Sequence, residues 1–317
     1  MVYATVVLFA VGAVIAPGSI SKVSVQAMLP FFGILALVAA GQTMVVMTRG
    51  LDLSLPGMMS LAGLGASKFA SDNGNSLILA LLVTVIGAIV AGAANGAIVA
   101  YLSVTPLIAT LATGAVLAGV AFAYSGGIPA RAPEGLTTLS TSTTLGVSNT
   151  CLIALVVVCL LAFLASRSVW GRKLAAIGSS ESAARLSGLR VERLQVSAYV
   201  AAALCAALAG LLLAGYVGTP DSSLGADYLL PAIASVVLGG TLLGGGRGRV
   251  VGSVVAALFF SQLTAVVLAL GVPTATQFII EALILALAVA AQSLKQGELS
   301  IRRLVSKLVN GRRVSPS

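Results

Sequence analysis

Apolar stretches of about 20 residues recur along almost the whole of this chain, and most charged residues fall between them. A helix needs roughly that length to cross the hydrocarbon of a bilayer. Ten such windows lie near 2–17, 27–48, 53–70, 76–101, 105–125, 150–168, 195–216, 229–244, 250–270 and 275–293. They predict an all-α polytopic membrane protein, because isolated strands cannot satisfy their backbone amides in lipid. The windows at 53–70 and 229–244 are short and read as half-helices or re-entrant segments, tolerated where protein buries them. Composition agrees. Of 317 residues 58% are hydrophobic and 9% are charged. A soluble domain is roughly a quarter charged, and a chain this apolar could not cover its surface with polar groups.

The net charge is +9, which in a soluble protein would suggest nucleic acid. Here the basic residues sit in short loops and a tail, and no aromatic-interleaved basic face exists. Placing the C-terminus in the cytoplasm and counting back over ten spans puts both termini inside. Of the 18 Lys and Arg, only Lys22, Lys68 and Arg131 then lie outside. That is the asymmetry membrane insertion selects. The first window is preceded by no Lys or Arg and reads as a membrane helix rather than a signal peptide. Residues 1–294 form one transmembrane domain, with an external loop at 126–149 and a cytoplasmic loop at 169–194. The tail 295–317 is basic. Ile301, Leu304, Val305, Leu308 and Val309 within it match the helical period, so a short amphipathic helix on the anionic inner leaflet is expected. The chain has three cysteines, all inside apolar runs, and no histidine, so no metal site is expected.

Three stretches differ from membrane filler. In Gly50-Leu51-Asp52-Leu53-Ser54, a span ends and the side chain of Asp52 or Ser54 can cap the next helix, with Pro56 in its first turn. A well-capped helical hairpin would explain this stretch on structure alone. In the cytoplasmic loop, Ser179 or Ser180 can cap a helix of about two turns that Gly188 ends in the left-handed conformation. Its Ala183 and Ala184 offer a low face suited to a docking partner. The third, Val236 to Gly252, is glycine-rich. It is no phosphate loop, since no Gly-Lys-Ser/Thr follows and no strand precedes. It reads as a tight cytoplasmic turn with Arg247 and Arg249 at the headgroups.

Taken in order, these stretches resemble the permease family of ABC importers for pentoses, hexoses and related sugars, the ribose/arabinose/xylose type. The resemblance covers roughly residues 20–295. It rests on Gly50 to Ser54, on Glu181 to Gly188, and on Leu238 to Gly248. It implies a bacterial inner-membrane subunit that works as a homodimer or related heterodimer. A cytoplasmic ATPase would bind ATP and Mg, and a periplasmic or extracellular binding protein would deliver sugar. No cofactor belongs to this chain. Gly178, Ser180, Glu181, Ala183, Ala184, Arg185 and Gly188 would form the coupling element that docks on the ATPase. Gly50, Asp52, Ser54, Gly239, Gly240, Gly245 and Gly248 would be structural motif positions. Arg49 departs from the pattern, standing where the family usually has a small residue. A permease for branched-chain amino acids has a distantly similar layout. The Asp52-Leu53-Ser54 and Arg185-Leu186-Ser187-Gly188 patterns favour sugar.

Inside the spans, Glu281 is the one clear ionisable group. No histidine exists to complete a proton relay, which argues against an ion-driven carrier. No catalytic pair is visible either, so an intramembrane enzyme is not expected. A neutral sugar needs amides and hydroxyls. Gln42, Thr43, Asn95, Gln262 and Gln277 lie in or near spans and are candidates for its path, with interhelical hydrogen bonding as their plainer role.

Overall fold

The computed structural model describes residues 1–72, 76–273 and 275–290. In chain order the helices are α1 (Val2–Ile15), α2 (Lys22–Met47), α3 (Leu55–Asp72), α4 (Leu77–Tyr101) and α5 (Pro106–Ser125). Then follow α6 (Glu134–Thr141), α7 (Asn149–Arg167), α8 (Val169–Ser179), α9 (Glu181–Leu186) and α10 (Val191–Val217). The last are α11 (Leu229–Leu238), α12 (Val250–Ala269) and α13 (Ala275–Ala290). Every apolar window is occupied by a helix. Among the described residues six helices, α2, α4, α5, α7, α10 and α12, are long and apolar enough to cross a bilayer. The helix in the 229–244 window is shorter than the window: α11 has 10 residues, about 15 Å, half the hydrocarbon thickness. Glycines from Gly239 onward stop it. The basic tail 295–317 lies outside the described residues.

Two helices form the axis. In α2 and α10, 61% and 67% of the most apolar 18-residue window is buried, against 22% in α4 and α5. The outer helices turn aliphatic stripes outward. On α4, Ile78, Leu82, Ile86 and Val90, four residues apart, are all exposed. Water would penalise such a stripe at about 25 cal/mol per Å² of apolar surface, and lipid does not. Inside, packing in the absence of a hydrophobic drive depends on small residues that let backbones approach. A side chain at Gly92 would meet the Val200 Cα at 2.7 Å, and one at Gly96 would meet the Val196 Cα at 2.5 Å. These glycines seat α4 on α10. Gly210 is closed off in the same way by the backbone of Met59, and Gly252 by that of Gly239. These close approaches serve packing within one chain.

The segments between spans are more ordered than loops. At one end, residues 126–149 contain α6 and a two-stranded hairpin pairing Thr143 with Ser148 and Thr144 with Val147. Backbone bonds from Ala130 to Pro220 (3.2 Å) and from Ala132 to Gly218 (2.8 Å) hold this segment to the end of α10. At the opposite end, most of 169–194 is helical. The basic stretch around Arg172 and Lys173 belongs to α8, whose Leu174, Ile177 and Gly178 face inward while both cations face out.

Candidate functional site

The three sequence stretches meet at the end of the molecule that carries α8 and α9. Chain termination of α2 sets up the meeting. The Gly50 amide reaches back to the Val45 carbonyl (3.1 Å) and the Arg49 amide to Val46 (3.0 Å), the bonds of a Schellman cap. Arg49 takes the left-handed position, φ +65°, where glycine is usual. From there its side chain crosses to α8. Nε donates to the Gly178 carbonyl (2.7 Å) and an Nη to the Ser179 carbonyl (2.8 Å). The third stretch closes over the same spot. The Gly246 amide donates to the Met47 carbonyl at 3.0 Å. Gly245 (φ +81°) lies on the Arg49 side chain, and Gly248 lies against Met47 Sδ. Gly178 is packed so closely by the Met47 carbonyl and the Gly246 backbone that no Cβ fits. Gly239 and Gly240 complete the turn: the amide of Gly240 caps α11 at Val237, and Thr241 Oγ1 accepts from the Arg249 amide (2.9 Å).

Beyond this junction lies α9, packed on α8 and on the start of α10. Ser180 caps it, accepting from the Ala183 amide at 3.3 Å, and Gly188 (φ +77°) ends it. Glu181 bonds Arg185 at 2.8 Å, and Arg185 also pairs with Glu192. A small surface cavity is lined by Arg49, Ser180, Glu181, Ser182 and Arg185. The two alanines divide: Ala183 is exposed, whereas Ala184 packs inward on Ile177 and Val191. The outward face is therefore formed by Ala183, Arg185 and Leu186, the last 90% exposed.

A second polar cluster lies just behind the Gly50–Ser54 stretch. Asp52 Oδ1 accepts from the Ser54 amide (2.8 Å) and hydroxyl (2.5 Å), and Asn95 on α4 donates to that hydroxyl (2.8 Å). Asp52 is wholly buried between the ends of α2 and α3. Loss of water pushes its carboxyl up to about 6, against the lowering effect of the two Ser54 bonds. Two residues the sequence reading passed over complete the cluster. Thr110 of α5 straps the segment, accepting from the Leu53 amide (2.9 Å), and Tyr199 of α10 puts its hydroxyl under Gly50. Neither has a sequence signal, since Thr110 also bonds its own helix at Pro106 and so looks like any membrane threonine.

The five candidate path residues do not converge. Thr43 bonds Ser253 of α12 (2.9 Å), Asn95 belongs to the Asp52 cluster, and Gln262 lies 3.4 Å from Ser19. Gln277 bridges Thr264 and Glu281, each at 2.9 Å. Gln42 differs: it is fully buried in α2, and neither its amide nitrogen nor its oxygen has a partner among the described residues.

Comparison with known proteins decides the class. Residues 24–289 match the family described as branched-chain amino acid transport system / permease component. The chain belongs to this permease family. Among its relatives, the ribose import permease protein RbsC of Escherichia coli (strain K12) is 32% identical over 300 residues, covering 92% of each chain. The autoinducer 2 import system permease protein LsrC of Salmonella paratyphi B is 35% identical over 276 residues, covering 85% of this chain and 80% of that one. LsrC of Salmonella typhimurium is 35% identical over the same length. No solved structure matches the chain. The permease is thus a membrane transport subunit.

Proposed function

We propose that this permease is the membrane-spanning subunit of an ATP-driven ABC importer for a monosaccharide, a ribose-like pentose or a hexose, in a bacterial inner membrane. The observation that carries the reading is the junction of Gly50, Gly178 and Gly245–Gly248, which presents the capped helix α9 at one end of the molecule. An ATPase that binds ATP and Mg docks on α9. This end faces the cytoplasm, as do both termini, in keeping with 15 basic residues on that side and 3 on the other. The end bearing α6 and the hairpin receives the external binding protein. Two copies, or this chain and a related one, form the path. Gln42 supports a sugar path, since a buried amide without partners is costly unless another state of the transporter uses it. The sugar reading also draws on the relatives that import ribose and autoinducer 2.

A second reading, branched-chain amino acids, is favoured by the description of the matching family. Reconstitution separates the two. Proteoliposomes holding the permease, its ATPase and its binding protein should accumulate radiolabelled D-ribose in an ATP-dependent manner and leave leucine outside. ATP-driven leucine uptake without ribose uptake would establish the second reading instead.

A further inference from the structure

Arg49 sits in a backbone conformation that costs any residue with a Cβ, and a glycine there would relieve that cost. What the arginine adds is a two-pronged contact to the last carbonyls of α8, at 2.7 and 2.8 Å. Those carbonyls have no partner inside their own helix and form its negative end, so a guanidinium is the fitting group. The Ser179 carbonyl it holds directly precedes Ser180, the cap of α9. On the other side, Arg49 is continuous with the end of α2, the buried axis that packs against α7, α10, α11 and α12. The Gly246 amide on Met47 and the contact of Gly245 with the arginine stem bring the α11–α12 turn into the same unit. A displacement of the α8–α9 junction relative to α2 therefore has to break the Arg49 contacts.

We propose that Arg49 is a positioning residue that locks the α8–α9 junction to the end of α2 and to the glycine-rich turn, so that movement of α9 carried through that junction is passed to the axis of the bundle. The inference rests on α9 being the ATPase contact. It goes beyond that contact by naming a residue behind the docking surface that converts docking into transport. Arginine is required because its rigid fork spans two carbonyls, whereas a lysine ammonium is a single point charge.

The test uses the complete transporter in proteoliposomes with the unaltered chain, Arg49→Gly and Arg49→Lys. Arg49→Gly removes the clamp and the backbone cost together, so the fold is kept. The expected result is that ATPase association is unchanged in both variants. D-Ribose uptake per ATP hydrolysed falls at least about fivefold in Arg49→Gly, the lower end of typical coupling effects, and by less in Arg49→Lys. Unchanged uptake per ATP in Arg49→Gly overturns the proposal while leaving the docking role of α9 intact. Loss of ATPase association in Arg49→Gly also overturns it, because Arg49 would then belong to the docking surface itself. Absence of ATPase association in the unaltered chain would instead contradict the importer reading on which it rests.

Discussion

Asp52 shows how one buried side chain links the motif to conditions outside the protein. Its folded carboxyl titrates near 6 and its unfolded one near the ordinary 3.8, so the native state holds the extra proton between those values. The contribution to stability is full below about pH 4 and is lost as pH rises through about 6, on the order of 3 kcal/mol. Asp52→Asn keeps an acceptor for Ser54 and removes the charge. Thermal unfolding in detergent at pH 4.5 and 7.5 should show a smaller pH difference for this variant than for the unaltered chain. An identical difference would contradict the assignment. At the junction, Gly178→Ala forces a methyl group into the Met47 carbonyl and the Gly246 backbone. It should lower stability by about 1–3 kcal/mol, the usual cost of overpacking, seen as a reduced melting temperature. A variant that melts normally would mean that this contact can yield.

Among the elements, the docking role proposed for α9 is separable from folding. The Glu181–Arg185 pair is about half exposed on both sides, and such pairs contribute between 0 and about 1 kcal/mol. Glu181→Lys should therefore insert and melt almost normally yet lose ATPase association and transport. Normal uptake would remove α9 from the coupling role. This element was legible in the sequence because caps are local: Ser180 and Gly188 mark its ends whatever surrounds it. The apolar windows were legible for the same reason, since a membrane helix satisfies its own backbone. The length of α11 was less so, because Leu242 and Leu243 keep the window apolar after the backbone has turned at Gly239–Gly240. Helix α8 read as loop because its cations mask an inward face that only the neighbouring helices reveal. The meeting of Arg49 with Gly178, 129 residues away, could not be read from either stretch alone. The same holds for Thr110 and Tyr199, whose importance lies wholly in what they touch.

For the whole molecule, the α2–α10 axis is buried, the outer helices turn aliphatic stripes outward and the motif residues cluster at one end; under the proposed function the two ends differ in task. That assignment of ends is open to direct labelling. In a background without Cys151, Cys159 and Cys205, a cysteine at Arg247 should react with a membrane-impermeant maleimide only from the cytoplasmic side. One at Leu145, the fully exposed hairpin tip, should react only from outside. The reverse pattern would invert the topology. The central claim is that this chain works as the membrane subunit of an ATP-driven importer, and the most direct measurement is its purification from native membranes in mild detergent with identification of every co-purifying protein. An ATPase should co-purify together with a sugar-binding protein, whose bound ligand would name the substrate. A chain that purifies alone and still transports in proteoliposomes without ATP would contradict the importer reading.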